Sequence, residues 1–215
     1  MDVEGEKAGA ARAAAALVEP GMVVGLGTGS TVAHLLVALA ERRLDVRCVA
    51  TSPRTEAAAR DLGLVVDDFA DHDRLDLAID GADQIAPDGW LVKGAGAAHT
   101  REKLVAAAAD RFVVIADSTK PVDRLGPPVP LELLAFGLSS TLRRLGPVTV
   151  RPVAPSPDGG VIADWTGPVG DPAVLAAALS ATPGVVDHGL FPAAMVTAAL
   201  IGRGRAVERR DYPGA

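Results

Sequence analysis

The sequence predicts an α/β protein: a mostly parallel, Rossmann-like sheet with helices on both faces, joined to a small α+β, ferredoxin-like domain. Two observations support the sheet. Short apolar runs alternate with helical runs from about residue 4 to residue 120, and strand–helix alternation builds parallel sheets through right-handed crossovers. A third observation supports the companion. A Pro/Gly break, Leu125-Gly126-Pro127-Pro128-Val129-Pro130, precedes a strand–helix–strand–strand–helix–strand order that runs to about residue 190, the split βαβ pattern. The expected division is therefore an α/β catalytic domain over 1–127 and 193–215, with a small domain over 128–192.

Composition narrows the class. The chain has 215 residues, of which 49% are hydrophobic and 3% aromatic, enough for a sizeable core built mainly from Ala, Val and Leu. A net charge of -6 argues against a nucleic-acid partner, which calls for a basic face. Backbone N–H groups can still bind a small anion within an acidic protein. Cys48 is the single cysteine, which excludes an intrachain disulfide and a cysteine-rich zinc site. The start of the chain is acidic, unlike a secretory signal, and no run reaches the ~18–20 apolar residues of a membrane span. A cytoplasmic protein with no membrane or nucleic-acid partner is expected.

Taken in order, an alanine-rich helix over 4–18 carries Lys7 and stops at Glu19-Pro20-Gly21. A strand over 22–25 leads into Leu26-Gly27-Thr28-Gly29-Ser30-Thr31 and a helix over 32–42. Strand, glycine-rich loop and helix together present free N–H groups and the positive helix end to a phosphate, with Thr28, Ser30 and Thr31 as hydroxyl donors. The Gly-Lys-Ser/Thr ending of a P-loop is absent, and the glycine spacing is not that of a dinucleotide fingerprint. The same loop also suits a plain tight connection. A strand over 46–50 holds Cys48 and ends at Thr51-Ser52, a helix over 54–62 closes at Gly63, and a third strand covers 64–66. Asp71-His72-Asp73 lies in a polar connection and reads as a solvated loop.

An apolar strand over 75–79 follows, with Asp80 and Asp83 where it ends. After a Pro87-Asp88-Gly89 turn, a strand over 90–92 leads to Lys93-Gly94-Ala95-Gly96 and a helix over 100–109. Glu102 lies in that helix's first turn, where the dipole favours a carboxylate. A strand over 112–116 ends at Asp117-Ser118-Thr119-Lys120. Each of these loops directly follows a strand, so they should gather at the carboxyl edge of the sheet, where ligands of open α/β sheets bind. Beyond the small domain, an apolar strand over 195–201 should rejoin the first sheet. The charged tail over 203–215 should fray.

His34, His72, His99 and His188 are scattered without metal-ligand spacing, which favours metal-free chemistry and no cofactor. No nucleophile elbow is present, and Cys48 sits inside an apolar strand. Carboxylates, lysines and a phosphate loop remain, a set suited to proton transfer beside a carbonyl in a phosphorylated small molecule. Singly, each has a plainer reading. Asp80 could cap a turn, Lys7, Lys93 and Lys120 could be surface charges, and Arg101-Glu102-Lys103 could be a solvated helix start. Their shared position at strand ends favours a site.

The segments GLGTGST (25–31), DGAD (80–83), KGAGAAHTREK (93–103), ADSTK (116–120), VPLEL (129–133) and GVVDHGLF (184–191) together resemble the A-type ribose-5-phosphate isomerases over nearly the whole chain. The resemblance implies interconversion of ribose 5-phosphate and ribulose 5-phosphate through an enediol without a metal, and a homodimer or homotetramer. It implies Glu102 as the proton acceptor, with Asp80, Asp83 and Lys93 on the reacting hydroxyls. Thr28, Gly29, Ser30, Thr31, Gly81, Ala82, Gly94, Ala95 and Gly96 would line the substrate, with Lys7 and Lys120 as cationic contacts. Three departures stand out. Gln84 replaces the glutamate of DGADE, Ala95 replaces a glycine that could adopt positive φ, and Ser156–Gly160 replaces the TDNGN turn. The rivals are a non-catalytic sugar-phosphate sensor and an isomerase for another phosphorylated aldose.

Overall fold

The computed structural model describes residues 2–212. In chain order the first elements are α1 (Val3–Ala15), β1 (Val23–Leu26), α2 (Ser30–Arg42), β2 (Arg47–Ala50), α3 (Pro53–Asp61), β3 (Val65–Asp67) and β4 (Leu77–Gly81). Next come β5 (Gln84–Ile85), β6 (Leu91–Val92), α4 (His99–Ala107), β7 (Phe112–Ala116), β8 (Val129–Leu133), α5 (Leu138–Leu145) and β9 (Val148–Val150). The last are β10 (Val161–Trp165), α6 (Pro172–Ser180), β11 (Val185–His188), β12 (Leu190–Phe191), β13 (Ala198–Arg203) and β14 (Ala206–Asp211).

The chain forms two compact units. The first holds the described residues up to Ala82, the segment Arg101–Lys120 and the described residues from Ala193 on; the second holds Asp83–Thr100 and Pro121–Pro192. This differs from the division expected from sequence, which placed 83–100 and 121–127 with the α/β sheet. Strand pairing accounts for the difference. β5 pairs with β6, β6 pairs with β12, and Ile85 bridges Pro121, so these segments are fastened inside the second unit.

The first unit is a seven-stranded sheet in the order β14-β13-β7-β4-β1-β2-β3. Every pair is parallel except the β13–β14 hairpin. Alternation along the strands sorts its two faces. Val24, Leu26, Leu77 and Ile79 enter one core cluster with the alanine stripe of α1 (Ala10, Ala11, Ala14) and with Leu35 of α2. Gly25 and Ala78 face the other way. A Cβ on Gly25 would lie 2.4 Å from Val105 Cγ1, so its bare backbone is what admits α4 to that face. Asp2 caps α1 through the Gly5 N–H (2.9 Å), and Ser52 caps α3 through the Thr55 N–H (3.2 Å).

Two expectations need correcting here. The strand expected over 75–79 spans Leu77–Gly81, so Asp80 belongs to the strand and is buried. The tail expected to fray instead forms β14, paired residue for residue with β13 from Arg203↔Ala206 to Ala198↔Asp211. Val207 packs on the core, and Arg203 and Arg210 bond Glu208, so this edge strand is closed by charge. Residues 213–215 lie outside the described residues.

The second unit holds a four-stranded sheet in the order β11-β8-β10-β9 with antiparallel neighbours throughout. Its βαββαβ chain order makes it the ferredoxin-like arrangement. The single strand expected over 185–190 is two: β11 in this sheet and β12 in the small β12-β6-β5 sheet. Among the described residues no helix is long and apolar enough to cross a membrane.

Candidate active site

In the first unit, parallel pairing places the ends of β1, β2, β4 and β7 on one edge of the sheet. The loops that follow them therefore share that edge. Asp80 is central to it. Its Oδ1 accepts the N–H of Gly81 (2.7 Å) and the N–H of Thr28 (3.1 Å). A Cβ on Gly27 would fall 1.8 Å from Asp80 Cγ, so residue 27 has to be glycine for the loop to lie against this carboxylate. Gly29 N-caps α2 without a side-chain hydrogen bond, and Ser30 and Thr31 open its first turn, where N–H groups have no helical acceptor.

Glu102 is buried, 4% exposed, in the first turn of α4. It stands one helical turn before Val105, the residue that faces Gly25. Asp80 alternates with Ala78 onto that same face of the sheet. The first unit thus places Asp80 and Glu102 on one face, beside the loop of Gly27, Thr28, Gly29, Ser30 and Thr31. The plain reading of Arg101-Glu102-Lys103 as a solvated helix start does not hold for Glu102.

Lys7 and Lys120 are near the same edge. Glu6, the neighbour of Lys7, accepts the Ser118 N–H through Oε2 (2.9 Å) and the Gly204 N–H through Oε1 (2.8 Å). A hydrogen bond with the Ser118 side chain, followed by these two backbone bonds, pushes its carboxyl down to about 2. Glu6 therefore ties the start of α1 to the β7 loop that holds Lys120, and to the β13–β14 turn. Lys7 itself bonds Glu4 (2.7 Å), which His34 also reaches (3.0 Å). The His72 ring bonds Asp67 (2.9 Å), where Arg47 also pairs. Arg47 first and His72 second hold the Asp67 carboxyl below its ordinary range.

In the second unit, Lys93 is buried rather than a surface charge. Its N–H donates to the Gly189 carbonyl (2.8 Å), and its Nζ stands 5.3 Å from the centroid of the Phe191 ring. Asp83 Oδ2 accepts the N–H of Ala95 (2.9 Å). Arg151 Nη1 donates to the carbonyls of Gly94 (2.9 Å) and Ala95 (3.3 Å), while its other nitrogens fork onto Asp164 (2.7 and 2.6 Å).

The departures from the family pattern resolve structurally. Positive φ falls on Gly94 (112°) and Ala97 (59°), not on Ala95, so the freedom lost with the glycine is not needed at Ala95. Gln84 clamps Gly126, its Nε2 donating to the carbonyl (2.9 Å) and its Oε1 accepting the N–H (2.8 Å). A glutamate could make only the second bond. In the Ser156–Gly160 turn, the Ser156 hydroxyl donates to buried Glu132 and accepts the Gly160 N–H (2.9 Å). Glu132 also accepts the Thr100 hydroxyl (2.5 Å). Glu132 stood in the sequence only within the VPLEL segment, and Arg151, Thr55 and Glu6 went unnoticed. Only Thr55 left a signal there, as the residue three positions after a helix-capping serine.

The fold and its charged strand ends define a class: a doubly wound α/β protein whose carboxylates and glycine-rich loop meet at the carboxyl edge of a parallel sheet, with a ferredoxin-like companion. Comparison with known proteins narrows it. The family model described as Ribose 5-phosphate isomerase A (phosphoriboisomerase A) matches residues 47–206. A "Ribose-5-phosphate isomerase A" of Caulobacter sp. (strain K31) is 47% identical over 206 residues, 89% of this chain and 91% of that relative. One of Methanosarcina acetivorans is 44% identical over 201 residues, 86% of each. The ribose 5-phosphate isomerase A structure from Methanocaldococcus jannaschii superimposes with a TM-score of 0.90 at 31% identity, covering 95% of this chain and 97% of that one. A D-ribose-5-phosphate isomerase in complex with phospho-erythronic acid gives 0.92 at 31% identity, covering 98% and 100%. The chain belongs to the ribose 5-phosphate isomerase A family.

Proposed function

We propose that this protein interconverts D-ribose 5-phosphate and D-ribulose 5-phosphate by metal-free proton transfer through an enediol. The observation that carries the reading is the buried Glu102 on the sheet face that Asp80 also occupies, beside the glycine-rich loop. In this reading the Glu102 carboxylate takes the proton from C2 of the open-chain aldose and returns it at C1. The electron pair moves through the enediolate, whose oxygen charge must be stabilised for the step to be fast. Asp80, Asp83 and Lys93 hold the reacting hydroxyls and move protons on the oxygens, which also serves ring opening. Gly81, Ala82, Gly94, Ala95 and Gly96 shape the backbone around the sugar. The loop from Thr28 to Thr31 takes the phosphate, with Lys7 and Lys120 as cationic contacts.

Family membership supports the same substrate pair, and with it a cytoplasmic enzyme of the non-oxidative pentose phosphate branch working as a homodimer or homotetramer. Light scattering after size exclusion reads the assembly. The function is tested by assaying a panel of phosphorylated pentoses and hexoses, each with and without a chelator. Ribose 5-phosphate should be the preferred aldose, and chelator should leave its turnover intact. Glu102→Gln should lower kcat by about 10²–10⁴-fold while inorganic phosphate still inhibits as in the wild type. Undiminished turnover in that variant would remove Glu102 as the base, and preference for another aldose would favour a paralogue.

A further inference from the structure

Three buried side chains from the segment after β2 lie against Thr28: Thr51, Ser52 and Thr55. Thr28 Oγ1 is 2.9 Å from Thr51 Oγ1 and 2.9 Å from Ser52 Oγ; Ser52 Oγ is 3.0 Å from Thr55 Oγ1, and Thr55 Oγ1 is 2.9 Å from the Gly27 carbonyl oxygen. Each hydroxyl has one hydrogen to donate, and a carbonyl has none. The carbonyl at the end therefore fixes the direction of the whole row. Thr55 donates to Gly27, so Ser52 donates to Thr55, Thr28 donates to Ser52, and Thr51 donates to Thr28. The Thr28 N–H is committed as well, to Asp80 Oδ1 (3.1 Å).

We infer that Thr28 is a positioning residue and not a phosphate donor: both of its hydrogens are used inside the first unit, one on Asp80 and one on the buried hydroxyl row. Phosphate donors from this loop are then the first-turn N–H groups of α2 and the hydroxyls of Ser30 and Thr31. The row has a second role. It fixes the loop and Asp80 to each other through one residue, so the phosphate end and the sugar end of the substrate are held at a set spacing. Thr55, remote from any substrate oxygen in this scheme, becomes part of the binding apparatus through Thr28. The inference rests on the reading of the loop as a phosphate cradle.

The test is a double-mutant cycle on Thr28→Val and Thr55→Val, with KM and kcat for ribose 5-phosphate, Ki for inorganic phosphate and the thermal midpoint as readouts. Each single change should raise KM and Ki by about 3–10-fold, the equivalent of one hydrogen bond. The double variant should be no worse than the weaker-binding single, and Thr28→Ser, which keeps both hydrogens, should stay near wild type. Should Thr55→Val not fold, Thr51→Val replaces it in the cycle and should also be non-additive with Thr28→Val. Additive losses, or a wild-type Ki in Thr55→Val beside a raised Ki in Thr28→Val, would make Thr28 a direct donor and overturn the inference alone. A shifted midpoint with unchanged Ki in both singles overturns it too, leaving the row a stability element only. A wild-type chain that neither turns over ribose 5-phosphate nor responds to phosphate overturns both this inference and the proposed function.

Discussion

The loop after β1 and the loop after β6 are both glycine-rich and both follow a strand, but they are fastened by different chemistry. In the first, a row of neutral hydroxyls, running from Thr51 into the first turn of α3, joins the Asp80 carboxylate in holding Thr28. An ion pair holds the second: Arg151, 57 residues from Gly94, grips two loop carbonyls while Asp164 grips Arg151. The contrast separates two ways of making a loop rigid. A row of hydroxyls costs little to desolvate, and its members act together. A half-buried guanidinium is strongly placed but leaves an uncompensated carboxylate when it is removed.

The largest expected effect is therefore at Arg151. Arg151→Met should destabilise the second unit by about 2–3 kcal/mol in urea unfolding and lower kcat/KM at least about tenfold. Activity equal to wild type would break the claim that this ion pair sets the Lys93 loop. One glycine in each loop sharpens the contrast next. Gly94→Ala has a φ of 112° and a Cβ 2.7 Å from Pro130 Cβ, and should cost about 2 kcal/mol in the same measurement. Gly27→Ala should instead be read mainly in activity, because its Cβ would displace the carboxyl of Asp80. Equal stability losses in the two variants would erase the distinction.

The first unit also has a charged clamp at Glu6, with a pH signature of its own. The folded carboxyl sits at about 2, below the ordinary 4.5. A depressed carboxyl contributes stability that is present above about 4.5 and lost as pH falls towards 2. The thermal midpoint should thus decline across that window, and Glu6→Gln should make the decline shallower; an unchanged acid limb would put the acid sensitivity elsewhere. The smallest effect is expected at Ala95→Gly. Ala95 is outside the positive-φ region and contributes its N–H to Asp83. Stability should change by less than about 1 kcal/mol, with turnover unaltered.

How much of this was legible in the sequence follows the range of the interactions. The glycine-rich loop, Asp80 and Glu102 are placed by features within a few residues: a strand end, a turn, the first turn of a helix. The boundary of the second unit depends on β6 pairing with β12, about a hundred residues downstream, beyond the reach of local pattern. The order of the tail likewise depends on pairing, here with β13. Its charges read as solvated, but Arg203 bonds Glu208 across the hairpin and Arg210 bonds it along the same strand.

By itself, the sequence determined the alternation of strands and helices, the parallel sheet, the family, and which charged residues stand at strand ends, because periodicity and turn chemistry are local. Tertiary structure alone decided that Asp80 lies within its strand, that Ala95 is unstrained while Ala97 takes the positive φ, that Arg151 holds the lysine loop, and that the hydrogens of Thr28 point inward. Each of these depends on which distant atoms meet. The direction of a row of hydroxyls is set by the carbonyl at its far end, and that carbonyl belongs to a segment that only folding brings within reach.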